Sequence, residues 1–326
     1  MNRSPAILGC VAISLLLFPQ RCPAPLTYTP GEGWRYEQAG TTSSWHRTRA
    51  KDQLELGQAA FDQKDYGLAF KSARRTVLQW PFSDYAPKAQ YLIGRCHEAT
   101  QQDEKAFKAY QTLTERYPKV ENYDEVIQRQ FGIANRYLAG QWFKLWDVVP
   151  FFPSMDKTIK MYEQIIKNGP YSEVAPSAQL NIGQAHENKM ISDYTSAAKA
   201  YERAADRYSE QKVGVEALYR EGIAYNKQAK TAEYDQSIAA QAISTFSDFM
   251  TLHPGDPRVS DAQKLIDSLK VEQARGSFDI AKFYERNHRW QGALIYYNEV
   301  LLKDPNSKYA EAARLRIDTI KKRAPN

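Results

Sequence analysis

The sequence predicts an all-α fold of stacked helix pairs, and three observations predict it. A short phrase recurs three times: Pro81-Phe82-Ser83-Asp84-Tyr85-Ala86, Pro170-Tyr171-Ser172-Glu173-Val174-Ala175 and Pro305-Asn306-Ser307-Lys308-Tyr309-Ala310. Each copy follows an aromatic-rich stretch of helical period, and one repeat cannot bury its own apolar face, so repetition implies a stack. The 326 residues also hold 21 Tyr but only 16 Gly and 16 Pro, few turn residues for a chain of many tight strand connections. Small and aromatic residues then recur at fixed separations. Gly57, Ala69, Ala73 and Pro81 are spaced like Gly94, Ala106, Tyr110 and Pro118, and again like Ala281, Ala293, Tyr297 and Pro305.

The chain opens on a targeting segment, residues 1–24. Arg3 supplies positive charge, and Ala6 to Phe18 is an apolar run long enough for a signal core and too short to span a bilayer unless extended. Cleavage near Ala24 is one outcome; lipid attachment at Cys10 or Cys22, or an uncleaved anchor, are the others. Removal of Arg3 and Arg21 lowers the net charge from +6 to +4 and leaves Cys96 without a disulfide partner. Stability then rests on packing, and Cys96 reads as a small buried helix residue. Residues 25–45 form a turn-rich linker whose aromatics (Tyr28, Trp34, Tyr36, Trp45) favour lying against the body.

From residue 46 to 326 the pattern is helical. Paired antiparallel helices approach closely where Gly or Ala faces the partner, an aromatic one turn on fills the gap to the next pair, and proline stops the second helix. A looser copy runs Gly183, Ala197, Tyr201, Ser209, and another ends at His253-Pro254 after Ala242, Phe246 and Phe249. That makes five or six pairs, with Tyr309 to Lys322 as a C-terminal capping helix. Two insertions interrupt them, at 141–154 and 230–236. The first is rich in aromatics, with Trp142, Phe143, Trp146, Phe151 and Phe152. Three readings of it stay open: burial against the helices, docking on a protein partner, or contact with lipid. Its two prolines argue against one continuous helix.

No spacing supplies catalytic chemistry. His46, His97, His186, His253 and His288 lack a second ligand at metal spacing, and no glycine-rich phosphate loop opens a helix. The chain therefore reads as a non-enzyme that needs no cofactor and holds no metal. Its basic residues alternate with acids along helices, as in Glu104-Lys105 and Glu202-Arg203, a solvated pattern that argues against nucleic acid as a partner.

These spacings resemble the tetratricopeptide repeat over most of the chain, which implies a solenoid whose concave face comes from the first helix of each pair. Lys88, Tyr91, Arg95, Arg129 and Arg136 fall at positions that point there, as a groove for an extended acidic or aromatic peptide or as a solvated face. Leu54 and Gln58 stand where chaperone-binding repeats carry a carboxylate clamp, which disfavours that role.

The stretch Glu272 to Arg286, then Trp290 to Val300 and Asp304-Pro305-Asn306-Ser307, is similar to the last repeat of the BamD family of outer-membrane β-barrel assembly lipoproteins. Gly57 to Tyr66 and Trp80 to Ser83 resemble its first. The resemblance implies an exported scaffold in the periplasm at the outer membrane, on its inner leaflet if lipidated. Its partners would be the barrel-forming insertase, other assembly lipoproteins and unfolded outer-membrane proteins. The last repeat, with Phe283, Tyr284, Arg286 and Trp290, would bind the insertase. A different envelope scaffold, serving cell-wall or transport complexes, is the alternative.

Overall fold

The computed structural model describes residues 26–29, 33–36, 45–145, 149–188, 191–231 and 236–323. Cys10, Cys22 and Trp146 lie outside these residues. The chain forms two compact units, one ending at Tyr117 and the other beginning at Pro118.

In the first unit, α1 (Ala50–Asp62) pairs with α2 (Tyr66–Gln79), and α3 (Ala86–Ala99) with α4 (Asp103–Arg116). Asp65 caps α2 by accepting from the Leu68 N–H at 3.0 Å, satisfying a donor that has no partner within the helix. Pro87 stands in the first turn of α3, where its missing N–H costs nothing. Proline at 81 bars continuation of α2. Lys64 and Gln101, in the turns inside the two pairs, take left-handed φ of 64° and 56°, the usual way to reverse a chain after a helix.

In the second unit, α5 (Tyr123–Leu138) pairs with α6 (Met155–Asn168), α7 (Ala175–Glu187) with α8 (Tyr194–Arg207), α9 (Lys212–Thr231) with α10 (Gln236–Leu252), and α11 (Val259–Arg286) with α12 (Trp290–Lys303). Helix α13 (Lys308–Arg323) closes this unit, so the described residues hold six pairs and one capping helix. Asp193 caps α8 through the Ser196 N–H at 3.0 Å, and Ser192 and His288 repeat the left-handed turn at 50° and 57°.

The fold is all-α, with two short ribbons that the sequence reading did not foresee. Leu26–Thr29 (β1) runs antiparallel to Gly33–Tyr36 (β2), inside the stretch read as a linker. Phe143–Leu145 (β3) runs antiparallel to Val149–Phe152 (β4), inside the first insertion. Pro150 has no N–H to give a ladder, which suits a two-stranded ribbon where one edge of each strand is unpaired. Helix α9 runs to Thr231 and α10 starts at Gln236, at the two ends of the second insertion, whose residues 232–235 lie outside the described residues.

Packing follows small residues, in a different arrangement from the one expected. The aromatic of the second helix fills the notch left by glycine on the first helix of its own pair. A Cβ on Gly94 would overlap the Tyr110 ring, one on Gly183 the Tyr201 ring, and one on Gly222 would fall 2.6 Å from Phe246. Tyr110, Tyr201, Phe246 and Tyr297 are fully buried. The tyrosines also need a partner for the hydroxyl. Tyr110 donates to Glu98 at 2.9 Å, Tyr201 to Glu187 at 2.7 Å and Tyr297 to Glu285 at 2.6 Å. The pairs α3–α4 and α7–α8 are thus closed by a ring-in-notch contact and a hydrogen bond to a carboxylate near the end of the first helix, while α9–α10 keeps only the first and α11–α12 only the second.

Candidate functional site

The predicted groove residues divide between the two units. In the first, Lys88 on α3 is exposed, while Tyr91 and Arg95 are half-buried. The Arg95 guanidinium lies 5.2 Å from the Phe61 ring of α1 and 5.9 Å from the Tyr91 ring, and donates to the Tyr91 hydroxyl at 3.4 Å. A cation between two aromatic faces can receive an acidic or aromatic side chain. Phe61 belongs to this cluster and was not singled out from sequence; its place at the end of α1 hid it. In the second unit, Arg129 is tied to Glu125 by two bonds of 3.0 and 2.9 Å, so its charge is largely matched. Arg136 is exposed on α5.

In the aromatic insertion, Phe143 is 2% exposed and stacks on Tyr137 at 4.0 Å, with Lys157 Nζ 4.7 Å above its ring. It is a packing residue of α5 and α6 and offers no docking surface. Trp142 beside it is 51% exposed. Phe151 and Phe152 are placed in β4.

The four residues named in the last repeat separate into two kinds. Tyr284 stacks on Tyr296 at 5.4 Å and 12°, and a Cβ on Gly292 would fall 2.7 Å from its ring. Trp290 packs against the cluster that holds Ala293, Tyr297 and Ile317. Phe283 is 56% exposed and Arg286 is exposed beside it in sequence. Ile295 and Leu302, seven residues apart on one face of α12, and Leu315 on α13 are exposed as well. Spacing at i and i+7 was the available signal for Ile295 and Leu302. These exposed apolar side chains stand on α11, α12 and α13 of the second unit.

Among the described residues no group of three or more His, Cys, Asp and Glu is placed to hold a metal. No helix among them is long and apolar enough to cross a membrane. Burial pushes the Cys96 thiol up to about 11, which keeps it protonated and unreactive at neutral pH. One carboxyl group stands apart. Glu221 on α9 is 8% exposed and accepts a 3.5 Å hydrogen bond from the Thr245 hydroxyl. Burial first, then the carboxylates of Glu202, Asp206 and Asp248, push it up to about 7.

A family model described as YfiO, outer membrane lipoprotein, matches residues 153–324, and a tetratricopeptide-repeat model matches residues 88–119. The outer membrane protein assembly factor BamD of Caulobacter vibrioides is 22% identical over 162 residues, which is 50% of this chain. The match covers 52% of that protein, so the chain spans about half the length of this relative. Among solved structures, a tetratricopeptide-repeat protein of Bacteroides fragilis is similar over 85% of this chain and 100% of its own, with 15% identity and a TM-score of 0.39. The C-terminal part of a repeat protein of Cytophaga hutchinsonii is similar over 83% of this chain and 89% of its own, with 14% identity and a TM-score of 0.36. Scores this low carry no argument. The repeat architecture stands on the helix pairs and the repeat-model match.

Proposed function

The chain belongs to the YfiO family of outer-membrane lipoproteins, and on that premise we propose that it is a non-catalytic, periplasm-facing scaffold of the machinery that assembles β-barrel proteins in the outer membrane. The observation that carries this reading is a coincidence of place. The family match spans α6 to α13, and the same stretch exposes Phe283, Ile295, Leu302 and Leu315. Exposed apolar side chains on rigid helices suit a protein partner, because they give up little conformational freedom when covered. The barrel-forming insertase is the partner assigned to the last repeats. The Phe61–Arg95–Tyr91 cluster of the first unit is assigned to extended segments of unfolded outer-membrane proteins, since a cation between rings can hold an acidic or aromatic side chain. Lipid on Cys22 or Cys10 would keep the scaffold at the inner leaflet, beside other assembly lipoproteins.

Co-purification from detergent extracts of the cell envelope tests the reading. The insertase is expected to come down with the chain, and to be lost when Phe283 and Leu302 are both changed to serine. Recovery of cell-wall or transport components in place of the insertase would favour a different envelope scaffold.

A further inference from the structure

The turn between α2 and α3 holds an aromatic ring in water. Phe82 is 96% exposed, yet the turn beneath it is fixed. Ser83 Oγ donates to the Trp80 carbonyl at 3.0 Å, and the Tyr117 hydroxyl donates to the Pro81 carbonyl at 3.0 Å. Leu78, in the last turn of α2, is exposed beside it. The second unit repeats the feature at its own turn before α7, where Tyr171 follows Pro170 and is equally exposed at 96%.

The N-terminal segment joins the first unit at this same end. Ser72 Oγ donates to the Gln53 carbonyl at 2.7 Å, and a Cβ on Gly57 would fall 3.4 Å from the Ala69 carbonyl oxygen. Helices α1 and α2 are therefore antiparallel, and the residues before Gln53 lie alongside those after Ser72. Gln53 Nε2 also donates to the Trp45 carbonyl at 3.1 Å, which pins the incoming segment there. Arg47 and Arg49 thus stand at the end of the pair that presents Leu78 and Phe82. Arg74 on α2 and Lys88 in the first turn of α3 add two cations, against the acids Asp52 and Asp84.

We propose that this end of the first unit is a lipid-facing edge, which sets Phe82 and Leu78 into the headgroup region of an anionic phospholipid bilayer while Arg47 and Arg49 meet its phosphates. A bilayer suits the edge better than a protein does. A protein interface wants a wider apolar centre than Leu78 and Phe82 supply, whereas two apolar side chains among long cations match the boundary between headgroups and acyl chains. The inference rests on the reading that the chain is held at the outer membrane. The apolar run Ala6–Phe18 and both cysteine candidates precede Trp45, so an anchor there leads the chain back into the fold at this edge. A tether turns a weak surface contact into an intramolecular one, and few side chains then suffice.

Photocrosslinking separates the outcomes. The full chain is reconstituted in vesicles of phosphatidylethanolamine and phosphatidylglycerol, with p-benzoylphenylalanine in place of Phe82 or, as a control, of Gln101 in the turn at the opposite end of the helices. Floated protein is expected to carry phospholipid adducts at position 82 at least about fivefold above position 101, and several-fold fewer when Arg47 and Arg49 are both changed to glutamine or the vesicles are phosphatidylcholine alone. Adducts equal at the two positions, or a protein adduct at 82, overturn the lipid-facing edge and leave the membrane-attached scaffold standing. A chain that does not float with any vesicle overturns both.

Discussion

The ring of Tyr110 occupies the space that a Cβ on Gly94 would need, and its hydroxyl reaches back to Glu98 on the helix that carries the glycine. A methyl group added at Gly94 must displace a fully buried ring and pull it from its carboxylate. Gly94→Ala is expected to lower stability by about 1–3 kcal/mol, as overpacking of a close contact does. Gly132 on α5 has no atom within 4 Å of a Cβ. Gly132→Ala should therefore raise stability by about 0.5–1 kcal/mol, because alanine is the better helix residue. Urea unfolding followed by circular dichroism of the two variants checks both signs.

The last repeat gives a test that separates packing from docking. Tyr284 is stacked on Tyr296, so Tyr284→Ala should destabilise the end of the second unit by about 2 kcal/mol and weaken partner binding with it. Phe283 faces solvent, so Phe283→Ala should leave unfolding within about 0.5 kcal/mol of wild type while reducing recovery of the insertase. Equal loss of stability in both variants would show that the exposed ring is structural.

Much of this architecture was legible in the sequence. The repeated Gly/Ala–Ala–aromatic–Pro spacing located the pairs because a notch and its filling ring must recur at fixed register on antiparallel helices. The direction of that filling was misread. Sequence spacing cannot tell whether Tyr110 meets the glycine of its own pair or the next one. Gly222 was missed opposite Phe246, because the insertion at 230–236 breaks the spacing that revealed the other copies. The ribbon of β3 and β4 was hidden because an aromatic-rich, proline-bearing composition argues against one continuous helix without specifying a strand. The phrase around Phe82 and Tyr171 was visible from the start. Its second residue stayed unexplained, since repetition reveals a turn and says nothing about the solvent exposure of the ring.

Glu221 makes the second unit sensitive to pH. Its carboxyl sits at about 7 in the fold against an ordinary 4.5, so the folded chain holds this proton more tightly than the unfolded chain. The sign follows: the contribution is fully present below pH 4.5 and is lost as pH rises towards and through 7. Glu221→Gln keeps the site neutral. It is expected to flatten the pH dependence between these limits and to raise stability at pH 8 by up to about 3 kcal/mol. Unfolding curves from pH 5 to pH 8 for both chains check it; parallel curves would remove Glu221 as the cause.

The insertion offers a fourth contrast. Phe143→Ala empties a site between Tyr137 and Lys157 and should cost about 3 kcal/mol. Trp142→Ala, at a half-exposed neighbour, should cost less than about 1 kcal/mol. Thermal unfolding of the two variants checks the difference.

Depletion of the chain from living cells, followed by the amount of folded β-barrel protein in the outer membrane, tests the scaffold role most directly. Folded barrels are expected to fall while the insertase is still made, and a Phe283→Ser, Leu302→Ser double variant is expected to fold yet fail to restore them. Undiminished barrel assembly after depletion would contradict it.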